Sequence, residues 1–234
     1  MSEKCAVRKQ GKIMIDLHTH SLLSDGALLP SELARRAEAK GYRVIGITDH
    51  ADMSNLEFVA EAVIRACKDI NKNWKIKAIP GVELTHMPLE SLKPAVKIAR
   101  SKGLKLVIIH GETLSEPVIP GTNRYALLAG PDILAHPGLI SMEDAKLAAG
   151  KGILLEITAR PGHSLTNGHV AAAAGKAGAG LVINTDSHQP ENLISKDLAE
   201  KILLGAGLDK KETARVFANS EKLACRLLDI KKLV

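Results

Sequence analysis

The run Ile13-Met14-Ile15-Asp16-Leu17-His18-Thr19-His20 sets the pattern on which the whole chain is built. A short apolar, β-branched stretch ends in two imidazoles spaced two residues apart. On a strand that spacing turns both rings to one face. The pattern recurs down the chain. Val44 to Thr48 runs into Asp49-His50, Lys77 to Leu84 carries Glu83, Leu104 to Ile109 meets His110, and Asp132 to Ala135 meets His136. Leu181 to Asn184 leads into Thr185-Asp186-Ser187-His188, again with a two-residue spacing. A seventh run, Gly152 to Thr158, ends without a clear ligand.

Near-continuous apolar strands separated by amphipathic helices are the mark of a parallel sheet covered on both faces. The expected helices open at Ser31, Ser54, Ser91, Ser141 and Thr166 or Asn167, and stop near Gly41, Lys72, Gly103, Gly150 and Gly175. After His188 the chain reads as helical, with Asp209 and Glu212 as a capping box. Leu203, Leu208, Val216, Phe217, Leu223, Leu227 and Leu228 give that segment an apolar packing face.

Seven βα units imply a distorted TIM-like (β/α)7 barrel, about residues 13–190, followed by C-terminal helices at about 191–230 in one domain spanning 1–234. An open doubly wound sheet is the competitor. It lacks support because no G-x-G-x-x-G or Walker loop follows the first strand. A barrel also gathers all C-terminal strand ends at one mouth, where ligands from six strands can meet.

Composition narrows the function. Hydrophobic residues make up 45% and charged residues 25%, as in an ordinary globular protein. The polar first twelve residues lack a signal-peptide core, and no apolar run is long enough to span a membrane. Cys5, Cys67 and Cys225 are scattered and odd in number, so they read as free thiols of a cytoplasmic protein. A net charge of +6 favours anionic partners. With aromatics reduced to Trp74, Tyr42, Tyr125, Phe58 and Phe217, nucleic acid is possible as a partner but not favoured.

The ligand motifs resemble those of the PHP (polymerase and histidinol phosphatase) family, over residues 13 to about 228. They are His18-Thr19-His20 with Ser24-Asp25-Gly26, Thr48-Asp49-His50, Gly81-Val82-Glu83, His110-Gly111, Ala135-His136-Pro137 and Thr185-Asp186-Ser187-His188. The resemblance implies up to three divalent metal ions. His18, His20, Glu83 and Asp186 would hold the first. Glu83, bridging, would hold the second with His110 and His136, and Asp25, His50 and His188 the third. Nitrogen and oxygen donors without thiolate permit zinc, manganese or iron. Three such cations bring about +6 and the carboxylates of Asp25, Glu83 and Asp186 return about −3, which suits a phosphate monoester dianion. The implied reaction is phosphate ester hydrolysis by metal-bound hydroxide, with His20, Asp186, His188 and Arg160 as the catalytic set.

Substrate contacts are sought among Arg160, His163, Asn167, Arg124 and His86. Arg160 follows the seventh run and could clamp a phosphate, or pair with Glu156 or a loop carboxylate. Asn167 doubles as a helix cap, and His169 stands beside it. The long loop Glu112 to Arg124 offers Glu112, Glu116 and Asn123 as well. Asp49 is expected to orient a ligand from behind.

The best-supported substrate is a small phosphorylated metabolite, histidinol phosphate-like or a nucleotide phosphate. An exonuclease-type phosphodiesterase is the alternative. An amidohydrolase would leave Asp25, His50, Glu83 and His188 surplus, and a non-catalytic RNA-associated scaffold would not need all nine ligands.

Overall fold

β-Branched and leucine-rich runs buried on both faces form the strands, and all but one hand the chain to a helix that covers the sheet. The computed structural model describes residues 14–233, so Ile13 and Cys5 lie outside the described residues. Parallel strands β1 (Met14–Asp16), β2 (Tyr42–Ile47), β3 (His50–Ala51), β4 (Lys77–Leu84), β5 (Leu106–His110), β6 (Ile133–Ala135), β7 (Leu154–Thr158) and β8 (Leu181–Asn184) follow one another. Helices α1 (Pro30–Ala39), α2 (Leu56–Asn73), α3 (Leu89–Ser101), α4 (Thr122–Ala129), α5 (Met142–Lys151), α6 (Asn167–Ala177), α7 (Lys196–Gly205) and α8 (Lys210–Leu228) alternate with them or close the chain.

The pairing order is β1-β2-β4-β5-β6-β7-β8, with the two-residue β3 beside β4. β1 then returns to β8. A parallel bridge joins Thr19 to Ser187, the His20 N–H donates to Ser187 O at 2.9 Å, and the Asp186 N–H to His18 O at 3.0 Å. The seven expected strands are thus present in a nearly closed, TIM-like barrel. β3 is the addition. It sets His50 opposite Glu83 in register, which a two-residue strand could not announce in sequence.

Ile15, Leu17, Val44, Ile79, Leu106, Ile108, Ile133 and Val182 fill the barrel, and Leu223 and Ala224 of α8 join that cluster. Each such fully buried aliphatic side chain contributes roughly 1.5–3 kcal/mol. The C-terminal helix therefore packs against the strand-start end and leaves the opposite mouth to polar side chains. No helix among the described residues is long and apolar enough to cross a membrane.

Helix ends depart from the sequence reading in a consistent way. Ser141 caps α5 through the Asp144 N–H at 3.0 Å, and Asp209 with Glu212 forms the expected capping box. Ser31, Ser54 and Ser91 do not cap. Pro30 starts α1, Ser54 Oγ donates to Asp52, and Pro88 leads into α3. α5 and α6 run past Gly150 and Gly175 to stop at Gly152 and Gly178, where φ is 67° and 73°. A helical glycine costs only about 1 kcal/mol, so a stop needs the left-handed turn as well.

Candidate metal centre

Strand ends supply the site. His18 and His20 follow β1, His50 opens β3, Glu83 sits near the end of β4 and His110 ends β5. His136 follows β6, while Asp186 and His188 follow β8. His136 and Asp186 have positive φ, 25° and 51°, in a region that costs residues other than glycine on the order of 1 kcal/mol or more. Backbone strain is thus placed at two of the residues aimed inward.

Donor atoms that lie within 4.8 Å of one another gather into several groups, among them His18 with His20 and Asp186, Glu83 with His110 and His136, and His20 with Asp25, His50 and His188. Glu83 ties the groups together. Its Oε2 lies 3.1 Å from His18 Nε2, 3.4 Å from His20 Nε2 and 2.9 Å from His50 Nδ1, while Oε1 is 3.6 Å from His136 Nε2. Asp186 Oδ1 lies 3.2 Å from His20 Nε2. At the rim, Asp25 Oδ1 is 3.2 Å from His188 Nε2 and 3.6 Å from His50 Nε2.

These approaches are close without being hydrogen bonds. His18 Nε2, His20 Nε2, both Glu83 oxygens and Asp186 Oδ1 are buried with no hydrogen-bond partner. Orphaned buried donors of this kind are costly, and lone pairs converging on shared points are satisfied by cations. The donor set therefore fits divalent metal ions.

Electrostatics show the same tension. Burial works to keep His18 neutral, but the carboxylates of Glu83, Glu156 and Asp186 outweigh it and hold its pKa well above the ordinary range. Burial would raise Glu83, yet His18 and His50 hold it well below its usual value. Asp186 is pushed up to about 6 by burial, against the pull of His18. Burial and the neighbouring His50 and His18 rings lower His20.

Two carboxylates stand out that the strand-end pattern passed over. Glu156, buried in β7, takes the His18 Nδ1–H on Oε2 at 2.8 Å and the Asn184 amide at 2.8 Å. That bond fixes the tautomer and leaves His18 Nε2 as a free donor. The run Leu154-Leu155-Glu156-Ile157 held the signal: a carboxylate within an apolar strand. Glu116, in the loop after β5, reaches His110, His163 and His86, and nothing local to it announces those partners.

The other expected residues divide. Arg160 comes to the site rather than to Glu156: its Nε lies 3.6 Å from Asp186 Oδ2, its Nη1 donates to Asp186 O at 3.1 Å, and Nη1 also meets His188 Nδ1. His163 is buried and stacked on His136 with ring centroids 4.3 Å apart. His86 lines the mouth. Asn167 is turned to other work, donating to Thr158 O at 2.8 Å and accepting the Thr158 N–H at 3.1 Å. Arg124 pairs with Asp144 at 2.5 Å, and His169 bonds Ile140 O at 2.8 Å. Asp49 binds the Ser21 N–H, Ser21 Oγ and Ser24 Oγ at 2.7–2.9 Å, so it fixes the loop that presents Asp25 rather than a ligand ring. Gly26 in that loop lies so near the backbone that a Cβ would fall 2.4 Å from His20 O.

A cavity of about 450 Å³ opens onto the centre, walled by Asp25, His50, Asp52, His86, Glu116 and Arg160 among others. A larger cleft of about 1730 Å³ lies at the strand-start end beside Ile15, Tyr42 and Phe217. No histidine lines it, so the smaller cavity is the chemically relevant one.

Comparison with known proteins agrees with this geometry. Over 199 residues the chain is 48% identical to an uncharacterized protein of Methanocaldococcus jannaschii, covering 84% of this chain and 91% of that one. It is 30% identical over 213 residues to the DNA polymerase/3'-5' exonuclease PolX of Bacillus subtilis, covering 82% of this chain and 37% of the polymerase. A chain in the cryo-EM structure of archaeal ribonuclease P with mature tRNA superimposes with a TM-score of 0.67 at 18% identity, covering 92% of this chain and 91% of that chain. At that identity the likeness concerns the fold. Residues 16–158 match the PHP domain, more than half of the chain, and the protein belongs to the PHP domain family.

Proposed function

We propose that this protein hydrolyses the phosphate ester of a small phosphorylated metabolite, using up to three divalent cations drawn from zinc, manganese and iron. The observation that carries the reading is the convergence of nine side chains at one mouth, with buried acceptor atoms that lack any other partner. His18, His20, Glu83 and Asp186 would hold one cation. Glu83, His110 and His136 would hold a second, and Asp25, His50 and His188 a third. When bound, such cations supply Lewis acidity toward a phosphoryl oxygen and lower the pKa of coordinated water.

The chain's own groups do the rest. Arg160, anchored on Asp186 and next to His188, offers a guanidinium to the phosphoryl oxygens from the cavity wall. His20, Asp186 and His188 fix the reacting end of the cavity, and His163 and His86 border the leaving group. Glu83, named for the first two cations, would hold both from one carboxylate. The cavity volume of about 450 Å³ suits a metabolite-sized ester. Free thiols at Cys67 and Cys225 suit the reducing cytoplasm.

A phosphodiesterase acting on nucleic acid is the second reading, favoured by the identity to a protein named as a polymerase and exonuclease. Phosphate release from the monoesters, with oligonucleotide cleavage followed by product length, separates the two. Apo-protein restored with Mn²⁺, Zn²⁺ or Fe²⁺ would be offered histidinol phosphate, mononucleotides, 3',5'-bisphosphates and a short single-stranded oligonucleotide. Turnover of a small monoester is expected. Cleavage of the oligonucleotide alone would replace this reading with the nuclease.

A further inference from the structure

Glu116 has no place among the nine expected ligands, yet it reaches into the centre. It rides in the loop between β5 and α4, and the base of that loop is tied on both sides. Glu112 Oε1 accepts the N–H groups of Gly121 at 3.0 Å and Asn123 at 2.8 Å. Asn123 Oδ1 accepts the Glu112 N–H at 3.0 Å, and its amide donates to Pro137 O at 2.8 Å. Gly138, at φ 61°, packs so tightly that a Cβ would lie 1.7 Å from Glu112 O. Such a loop places its side chains on purpose.

What Glu116 meets is three imidazole nitrogens. Its Oε2 lies 3.1 Å from His110 Nε2 and 2.9 Å from His86 Nε2, and its Oε1 lies 3.3 Å from His163 Nε2. His163 is buried, with Nδ1 bonded to Thr113 Oγ1 at 2.6 Å. His110 decides the chemistry. Its Nδ1–H donates to Gly111 O at 3.0 Å, so in the neutral ring Nε2 carries a lone pair. That lone pair faces a carboxylate, and two acceptors at 3.1 Å are reconciled by a cation between them.

We propose that Glu116 is a further ligand to the divalent cation held by Glu83, His110 and His136, with His163 bracing its second oxygen. The proposal rests on the metal reading above. It assigns the long loop a job: delivering a carboxylate that tightens one cation and fills a position otherwise left to solvent. His86, Glu116 and His110 form a donor group within 4.8 Å, and it shares His110 with the group of Glu83, His110 and His136.

The test titrates apo wild-type and Glu116→Gln proteins with Co²⁺, following affinity by calorimetry and coordination by visible absorption. Glutamine keeps the shape but offers one acceptor oxygen where glutamate offers two. The expected result is one equivalent bound about 10-fold or more weakly in the variant, with stronger absorption per bound Co²⁺ as its coordination number falls. Equal affinities and equal spectra would overturn the role of Glu116 while leaving the cation centre standing. A wild-type protein that binds no Co²⁺ would overturn this proposal together with the reading beneath it.

Discussion

The floor of the mouth and its rim use the same residue types under opposite conditions. On the floor, the side chains of His18, His20 and Glu83 are completely excluded from solvent and Asp186 is 3% exposed. At the rim, Asp25 is 58% exposed and His50 25%. Water can satisfy an unoccupied rim, but the floor has only its own acceptors to face. Under the proposed function, burial would commit the floor to cations, whereas the rim would gain or lose one at modest cost.

The largest contrast is therefore expected from floor variants. His20→Ala and Asp186→Ala should reduce turnover by at least about 10³-fold while circular dichroism shows the fold retained. Full activity in either would remove the floor from the mechanism. Glu156→Gln comes next. It weakens the acceptor that fixes the His18 tautomer, and cation affinity on the floor should fall by about 10–100-fold, read by competition with a chelator. An unchanged affinity would make Glu156 a packing residue.

Asp25→Asn sharpens the comparison from the rim. About a 10-fold rise in the cation concentration needed for half-maximal activity is expected, with most of the rate recovered at saturation. Complete loss at saturating cation would erase the distinction between rim and floor.

The smallest effect concerns the support beneath the floor. Asp16, fully buried and bonded to Thr185, is pushed up to about 6 by burial, from 3.8. Between those values the folded chain keeps a proton that the unfolded chain has released. Asp16 thus favours folding fully below pH 3.8, and that contribution fades as pH rises through about 6. Asp16→Asn should flatten the fall in apo-protein stability over this window by up to about 1.4 kcal/mol per pH unit, measured by urea unfolding. Parallel slopes in the two proteins would contradict this assignment.

Much of this architecture could be read from residue order, because strand and ligand signals coincide. Six of the seven apolar runs end on a donor, so a misplaced strand boundary of one or two residues still leaves His18, His50, Glu83, His110, His136 and Asp186 at the mouth. Helix starts were harder. Ser31, Ser54 and Ser91 carry capping chemistry, but Pro30 and Pro88 fix φ nearby and begin the helices first. Helix α4 was hidden inside a stretch whose prolines and glycine read as loop. Glu156, passed over despite its place in an apolar strand, and Glu116, read only as one of several loop candidates, were hard to place for a different reason. Their partners His18 and His163 lie 138 and 47 positions away, and no local periodicity encodes so distant a contact. Asn167 failed in the reverse direction: a polar residue at the right place, spent on the backbone of Thr158.

The most direct test of the cation centre is the metal content of the chain after equilibrium dialysis against Mn²⁺, measured for wild type and for Asp186→Asn. The account predicts up to three equivalents held by wild type and a clear deficit in the variant. A wild-type chain that retains none, or a variant that retains as many, would contradict it.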